Sequence, residues 1–176
     1  EVVTASAEEY VSSCEEHFDW VYADPDRRTA EGKRVVRLED CSPDMVALYP
    51  ALGRITERVA IKNSPLFDIE EAFRLFGDCT VEVLSLAGEC KEVNIYIDGE
   101  EEQRLSAVAI GVGKISCSSN DREGVQWSCI PEDFSHYHYL TLPDVSLQHT
   151  RMVAVAFNGK CDVWSNNGVA LSEQKP

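Results

Sequence analysis

This chain of 176 residues is short of basic side chains: 16 lysines and arginines stand against 31 aspartates and glutamates, a formal net charge of −15. Such an excess of acid excludes nucleic acid as a natural partner, disfavours an anionic membrane surface and favours a basic partner. Acidity that only keeps the chain soluble is the commoner explanation for an arbitrary acidic protein, and it stays open at this point.

The sequence also lacks the motifs of familiar catalytic sites. It has no GxSxG, no glycine-rich phosphate loop, no HExxH and no CxxC pair. His136 and His138 alternate on a predicted strand and could bind a metal or act as a base, but half-exposed strand residues are the commoner case. A Cys–His nucleophile is conceivable, although disulfides explain the cysteines without unseen geometry. We therefore expect no enzyme, no metal and no cofactor.

No run of residues is long and apolar enough to span a bilayer, and no Asn-x-Ser/Thr sequon occurs. The first three residues, Glu-Val-Val, are not the start of a signal peptide, so we expect the chain to begin after a cleavage site. The length and the ordinary apolar content predict one well-buried domain over residues 1–176, without an internal linker.

Cysteines, in contrast, are numerous and spread along the whole chain. Because they form no metal-binding spacing, they favour disulfides and an oxidising compartment. An odd count leaves one thiol unpaired or joins two chains, and the pairing cannot be read from the sequence. The disulfide candidates are Cys14, Cys41, Cys79, Cys90, Cys117, Cys129 and Cys161.

Residues 64–86 predict one short helix followed by one buried strand, with the other elements arranged around them. Asp68 is a good N-cap, and Glu71 three residues later completes a capping box. Apolar residues then recur at helical spacing until Gly77, which is typical of a helix end. Residues 80–86 alternate and predict a strand with two valines on one face.

The remaining pattern is mostly that of strands and turns. Residues 6–16 predict a helix with a capping box of Ser6 and Glu9, and residues 24–32, DPDRRTAEG, predict a polar loop. The other predicted strands are residues 18–22, 33–38, 45–49, 54–62, 93–97, 105–115, 136–142, 151–157, 161–164 and 169–171. About ten strands with about two or three helices favour a β-sandwich with appended helices.

Several segments in a shared order are similar to one family. They are GKRVVR at residues 32–37, DCSP at 40–43, SPLFDIEEAFRLFGDCTVEV at 64–83, Cys90, EDFSHYHYL at 132–140 and VAVAFNGKC at 153–161. Over residues 32–172 the chain resembles the poxvirus secreted chemokine-binding proteins, their SECRET-domain relatives and the wider poxvirus immune-evasion domain family.

This resemblance implies a mainly β fold: a two-sheet, disulfide-stabilised β-sandwich with about two or three short helices. It implies a secreted, extracellular viral decoy without catalysis, which binds host chemokines, above all basic CC-type ones, and blocks receptor engagement. The alternatives are a same-fold binder of another cytokine, tumour necrosis factor or a class I histocompatibility molecule, and, less favoured, a secreted Cys/His hydrolase. The implied partner is a basic chemokine or cytokine, with no nucleic acid, no membrane span and a homodimer as one assembly.

The resemblance also implies ligand-binding residues on one exposed sheet face. Asp78 matches the acid beside the cysteine at the helix end, whereas Thr80 stands where the family has a second acid. The basic residue of the first matched strand is Lys33, or Arg34 if the register shifts by one. The complete set of candidate ligand-binding residues is Asp78, Thr80, Glu82, Lys33, Arg34, Tyr139 and Leu140.

Overall fold

Two compact units make up the chain in the computed structural model, which describes residues 2–29, 31–122, 131–133, 135–157, 160–165 and 170–175. The first unit comprises Glu1–Val81 and Glu92–Glu102, and the second comprises Glu82–Lys91 and Gln103–Pro176. The hairpin of the third and fourth strands contributes residues to both. That the two units together form the single domain predicted over residues 1–176 stays a prediction.

In the first unit, a β-α-β arrangement leads into a mixed sheet with the strand order β1-β2-β4-β3. β1 and β2 run parallel, with Val21 opposite Val59, and β2 pairs antiparallel with β4. The elements in chain order are α1 (Ala7–Ser13), β1 (Val21–Ala23), a 3-10 turn (Leu38–Asp40), α2 (Met45–Leu52), β2 (Val59–Asn63), α3 (Ile69–Phe76), the first residues of β3 (Thr80–Leu86) and most of β4 (Glu89–Ile97).

Helix α3 and strand β3 form where the sequence predicts them. The Asp68 carboxylate accepts a hydrogen bond from the Glu70 N–H, and Gly77 ends the helix with a φ of 69°. The predicted capping box is wrong in its second half, because the Glu71 carboxylate binds Arg74 on the next turn. Beyond the helix, alternate residues of β3 are buried, which confirms the predicted strand.

Helix α1 confirms its predicted capping box. The Ser6 hydroxyl accepts from the Glu9 N–H, and the Glu9 carboxylate accepts from the Ser6 N–H, both at 3.2 Å. The helix ends at Ser13, three residues before the predicted end. Predicted strands at both sides of the polar loop are shorter than expected: residues 18–22 overlap β1 in two positions, and residues 33–38 contribute only the isolated bridge of Arg34 with Arg28.

The segment 45–49, predicted as a strand closed by Pro50, is the first part of helix α2. The apolar run of the whole helix, MVALYPAL, fits a buried strand and a buried helix equally well by periodicity. Asp44 decides between them, because its carboxylate accepts hydrogen bonds from the N–H groups of Val46 and Ala47, both at 3.0 Å, and so caps a helix. Pro50 lies inside the last turns, and the helix ends two residues later at Leu52.

The second unit contains the strand order β3-β5-β6, in which β5 and β6 are antiparallel, and a separate antiparallel three-stranded sheet of order β7-β9-β8. Residues 105–115, predicted as one strand, are split by a turn at 110–112, where Gly111 has a φ of 79°. The new elements are β5 (Arg104–Ala109), β6 (Gly113–Ser118), a 3-10 turn (Ser119–Arg122), β7 (Tyr139–Thr141), α4 (Val145–His149), α5 (Val153–Phe157), β8 (Val163–Trp164) and β9 (Ala170–Ser172).

Residues 151–157, predicted as a central strand, contain helix α5 instead. Val153, Ala154 and Ala156 are buried, so the segment is apolar on all sides, and such a short run does not distinguish a buried helix from a buried strand. The sequence also missed α4, which Asp144 caps by accepting from the Ser146 N–H. Residues 158–159 and 166–169, which include the first residue of the strand predicted at 169–171, lie outside the described residues.

The structure thus confirms a sheet-dominated fold with several short helices, but it does not confirm the two-sheet sandwich. Sandwich sheets are antiparallel, whereas β1 and β2 form a parallel pair connected through α2. Among the described residues, no helix has the length and apolar content to cross a membrane.

Asp44→Ala should lower the free energy of unfolding by about 0.5–2 kcal/mol, because two N–H groups at the start of α2 lose their acceptor. Denaturant titration followed by far-UV circular dichroism measures this. Asp19→Ala is the matched control, since Asp19 is exposed before β1 and should change stability by less than about 0.5 kcal/mol. Equal stability of the two variants would contradict a capped helix at residues 45–52.

Candidate functional site

A cleft of about 530 Å³ opens in the first unit, at the carboxyl ends of β1 and β2. The loop that follows β1 forms one wall, and the loop that follows β2 forms another. The residues that line the cleft are Asp24, Pro25, Asp26, Arg27, Arg28, Arg34, Val35, Val36, Ser64, Pro65 and Leu66.

The parallel pairing of the two strands accounts for this position. Ala23 lies opposite Ile61, so both strands end at the same edge of the sheet and both of the following loops begin there. In open sheets with parallel strands, ligands bind in the crevice outside the carboxyl ends of the strands. The cleft lies at the carboxyl ends of the parallel pair, the end at which open α/β sheets bind their ligands.

An ion pair joins the two strand ends. Asp24, the first residue after β1, accepts a hydrogen bond from the Lys62 ammonium group of β2 at 2.8 Å. That bond raises the pKa of Lys62, so the lysine stays charged and the carboxylate is held in one position. Because both side chains are partly exposed, the pair contributes more to the position of Asp24 than to stability.

Residues 26–29 and 31–36 line the two sides of a narrow loop, which we call the arginine hairpin. At its base, the backbones of Asp26 and Ser42 exchange two hydrogen bonds, of 2.8 and 3.0 Å. Further along, the Val35 N–H donates to the Arg27 carbonyl and the Thr29 N–H donates to the Lys33 carbonyl, both at 2.9 Å. These bonds fix the hairpin at its base and along its length.

Arg28 and Arg34 are paired directly opposite each other in this hairpin. The hydrogen bonds that flank them make them a non-hydrogen-bonded antiparallel pair, whose Cα atoms lie about 4.5 Å apart and whose side chains point to the same side. Arg27 precedes Arg28 and is half-buried. Within the residues that the structure describes, none of these three arginines forms an ion pair.

Besides Asp24, the cleft presents a second carboxylate and an apolar rim. Asp26 is exposed, and its backbone forms the base of the hairpin, which leaves its carboxylate facing solvent. Val36 and Leu66 are exposed by 41% and 76%, more than is usual for such side chains, and both line the cleft. The site therefore combines three guanidinium groups, two carboxylates and an apolar edge.

Of the candidate residues of the first unit, only Arg34 lines this cleft. Lys33 is exposed in the same hairpin, but its side chain does not line the cleft. Asp78 is exposed in the turn after α3, and the half-buried Thr80 begins β3. Their predicted binding role stays a prediction.

The other three candidates belong to the second unit. The Glu82 carboxylate accepts hydrogen bonds from Lys114 at 2.9 Å and from Ser106 at 3.2 Å, so its charge is already paired. Tyr139 and Leu140 are exposed on the short strand β7. Two histidines precede this strand and are also exposed, and the described residues contain no cluster of three metal-ligating side chains.

Sequence reasoning missed most of the cleft. Residues 24–32 were interpreted as an ordinary polar loop, although they contain Asp24, Asp26, Arg27 and Arg28. The available signal was a short apolar strand, then DPDRR, then a capped helix and a second apolar strand. That order is typical of a β-α-β unit, in which the loop after the first strand borders a ligand site.

The comparisons with known proteins concern the fold. No family model matches the chain, and no curated protein matches it. Among solved structures, the chain is similar to the crystal structure of a "putative methyltransferase" from Porphyromonas gingivalis W83, with a TM-score of 0.68 and 20% sequence identity. The likeness covers 90% of this chain and 40% of that one, so this chain spans less than half of the length of that protein.

At this identity the likeness shows the fold alone, and it overturns several predictions. The resemblance to the poxvirus chemokine-binding family is wrong, and with it the function as a chemokine or cytokine decoy. The expectation that the chain is not an enzyme is contradicted as well, because its fold is shared with a protein whose description names a methyltransferase.

The predicted disulfide framework is wrong for the cysteines that the structure describes. No disulfide joins any two of Cys14, Cys41, Cys79, Cys90, Cys117 and Cys161. The seventh, Cys129, lies outside the described residues. Four of the six are buried, where a cysteine behaves as a small apolar side chain. The secreted location thereby loses the argument from disulfides and stays a prediction.

The buried thiol of Cys79 makes the free energy of unfolding of the first unit depend on pH. Burial raises the pKa of the Cys79 thiol to about 12, and the charges of Asp78 and Asp98 act in the same direction. The unfolded thiol ionises near pH 8.5, so between about pH 8.5 and 12 the unfolded state holds fewer protons than the folded state. The stability contributed by the neutral thiol is present below this window and is lost as the pH rises through it.

The free energy of unfolding of the wild type should therefore fall more steeply between pH 8.5 and 10.5 than that of Cys79→Ala, which lacks the titrating group. Urea titrations of both proteins at several pH values measure the difference. Val81→Ala is the control, because it shortens a buried side chain of the same unit without removing a titrating group, so its slope should equal that of the wild type. Parallel curves for the wild type and Cys79→Ala would contradict the raised pKa.

Proposed function

We propose that this chain is part of a methyltransferase and that the cleft at the carboxyl ends of β1 and β2 holds the group that is methylated. The observation that carries the proposal is the position of this cleft, lined by charged side chains, in a methyltransferase-like fold. Fold alone does not assign an activity, so the argument depends on what the cleft residues can do.

Methyl transfer is a displacement at carbon. A lone pair of the acceptor atom forms a bond to the methyl carbon, while the bond from that carbon to the leaving atom of the donor breaks and its electron pair stays on the leaving atom. An acceptor N–H or O–H must also give up its proton. The protein therefore has to orient the acceptor and provide a base, and orientation alone can supply a large part of the acceleration.

The two carboxylates of the cleft fit these two tasks. Asp24 is fixed by its bond to Lys62, so it can hold an acceptor N–H or O–H in one orientation. Asp26 has its backbone anchored to Ser42 and its carboxylate exposed to the cleft, so it can accept the proton. The apolar side chains of Val36 and Leu66 offer a surface for the flat or apolar part of a substrate.

Asp26→Asn should lower the rate of methyl transfer by about 10²- to 10⁴-fold, the usual contribution of a general base. The fold should survive, because the hydrogen bonds of Asp26 to Ser42 are made by its backbone. The measurement uses the full-length protein that contains this chain, S-adenosylmethionine with a labelled methyl group, and separated protein, nucleic-acid and small-molecule fractions as acceptors.

Asp19→Asn is the matched control, since Asp19 is exposed outside the cleft in the same unit, and its rate should equal that of the wild type. Donor binding, followed by calorimetry, should be unchanged within about twofold in both variants, because the substitution acts on the acceptor side. If the full-length protein binds no donor and labels no fraction, the proposed function is wrong. If Asp26→Asn transfers methyl groups at the normal rate, Asp26 is not the base.

A further inference from the structure

We infer that Arg27, Arg28 and Arg34 form a binding site for a phosphate group carried by the ligand of this cleft. That this ligand is the methyl acceptor rests on the proposed function, whereas the phosphate site itself rests on the geometry of the arginine hairpin. Arg27, Arg28 and Arg34 all line one cleft, and none of them has an ion-pair partner within the described part of the chain.

Two like charges, those of Arg28 and Arg34, lie directly opposite each other in the hairpin. Arg28 and Arg34 form a non-hydrogen-bonded pair, the closer of the two kinds of antiparallel pair, and like charges placed directly opposite each other destabilise a hairpin. This arrangement occurs although the chain carries nearly twice as many acidic as basic residues. An anion bound between the two side chains removes the repulsion, because both guanidinium groups then contact a negative charge.

The second argument concerns the chemistry of the anion. Arginine presents a planar fork of donors that binds phosphate oxygens in pairs, and clusters of arginine are typical of phosphate recognition. Of the two carboxylates in the cleft, Asp24 is already neutralised by Lys62, so the local balance is positive. A phosphate, with several oxygens and up to two charges, suits three guanidinium groups better than a single carboxylate does.

The third argument is preorganisation. The hydrogen bonds at the base and along the arginine hairpin hold the backbone of all three residues before a ligand arrives. A site built in advance loses less conformational entropy on binding than a flexible loop would. The phosphate could belong to a nucleotide-sized molecule or to a nucleic-acid backbone, and the acidity of the chain favours the smaller source.

The test measures binding of inorganic phosphate, by thermal denaturation and calorimetry, with sodium chloride at matched ionic strength as the reference. Phosphate should raise the melting temperature of the wild type in a saturable manner. The double variant Arg28→Gln/Arg34→Gln should lose this shift, and each single variant should bind about tenfold more weakly. Without phosphate, the variants should be at least as stable as the wild type, because they remove a repulsion and no ion pair.

Arg37→Gln is the matched control. Arg37 follows the hairpin directly but lies outside the cleft, where it pairs with Glu39 at 2.9 Å. This variant should keep the full response to phosphate. If phosphate stabilises the wild type and the double variant equally, or stabilises neither, the inference is overturned.

Competition identifies the source of the phosphate. Displacement of phosphate by a nucleoside monophosphate supports a small ligand, and displacement by a short single-stranded oligonucleotide alone supports a nucleic-acid backbone. Phosphate binding and methyl transfer are tested separately. If phosphate binds but no methyl group is transferred, the phosphate site stands without the methyltransferase. If methyl transfer proceeds but phosphate stabilises the wild type and the double variant equally, the methyltransferase stands without the phosphate site.

Discussion

The parallel pairing of β1 with β2 is the constraint on which the candidate site depends. Parallel neighbours cannot be joined by a tight turn, so the chain between them has to cross over, and residues 24–58 do so through the arginine hairpin and helix α2. The crossover brings the loop after β1 and the loop after β2 to one edge of the sheet. If the two strands were antiparallel, as in a sandwich, these loops would lie at opposite ends and the cleft would not exist.

The charge of this cleft is opposite in sign to the net charge of the whole chain. A net charge of −15 sets the long-range field and with it solubility and encounter rates, but it does not determine what a particular cleft binds. The backbone hydrogen bonds of the arginine hairpin keep Arg28 and Arg34 opposite each other in spite of their repulsion. Composition therefore argued for a basic partner, while the geometry of one hairpin argues for an anionic group.

The parts of the fold that could be predicted are those with complete local signals. Helices α1 and α3 begin at an N-cap, α3 also has an apolar face and a glycine at its end, and burial alternates along strand β3. The failures at residues 45–49 and 151–157 are short runs of apolar residues, for which periodicity does not separate a helix from a strand. A cap was decisive at the first of them, since Asp44 precedes a buried run and satisfies two N–H groups that a strand would not leave free.

The site could not be predicted in the same way, because it is created by a contact between distant segments. Asp24 and Lys62 are 38 positions apart, and nothing in the DPDRR loop by itself distinguishes a solvent-exposed turn from the wall of a cleft. The family resemblance was misleading, since a pattern such as GDCTVEV only reflects a helix end followed by a buried strand, which many folds contain. Short segments predict local structure only. The order and direction of the strands decide where the loops meet, and short segments contain no information about them.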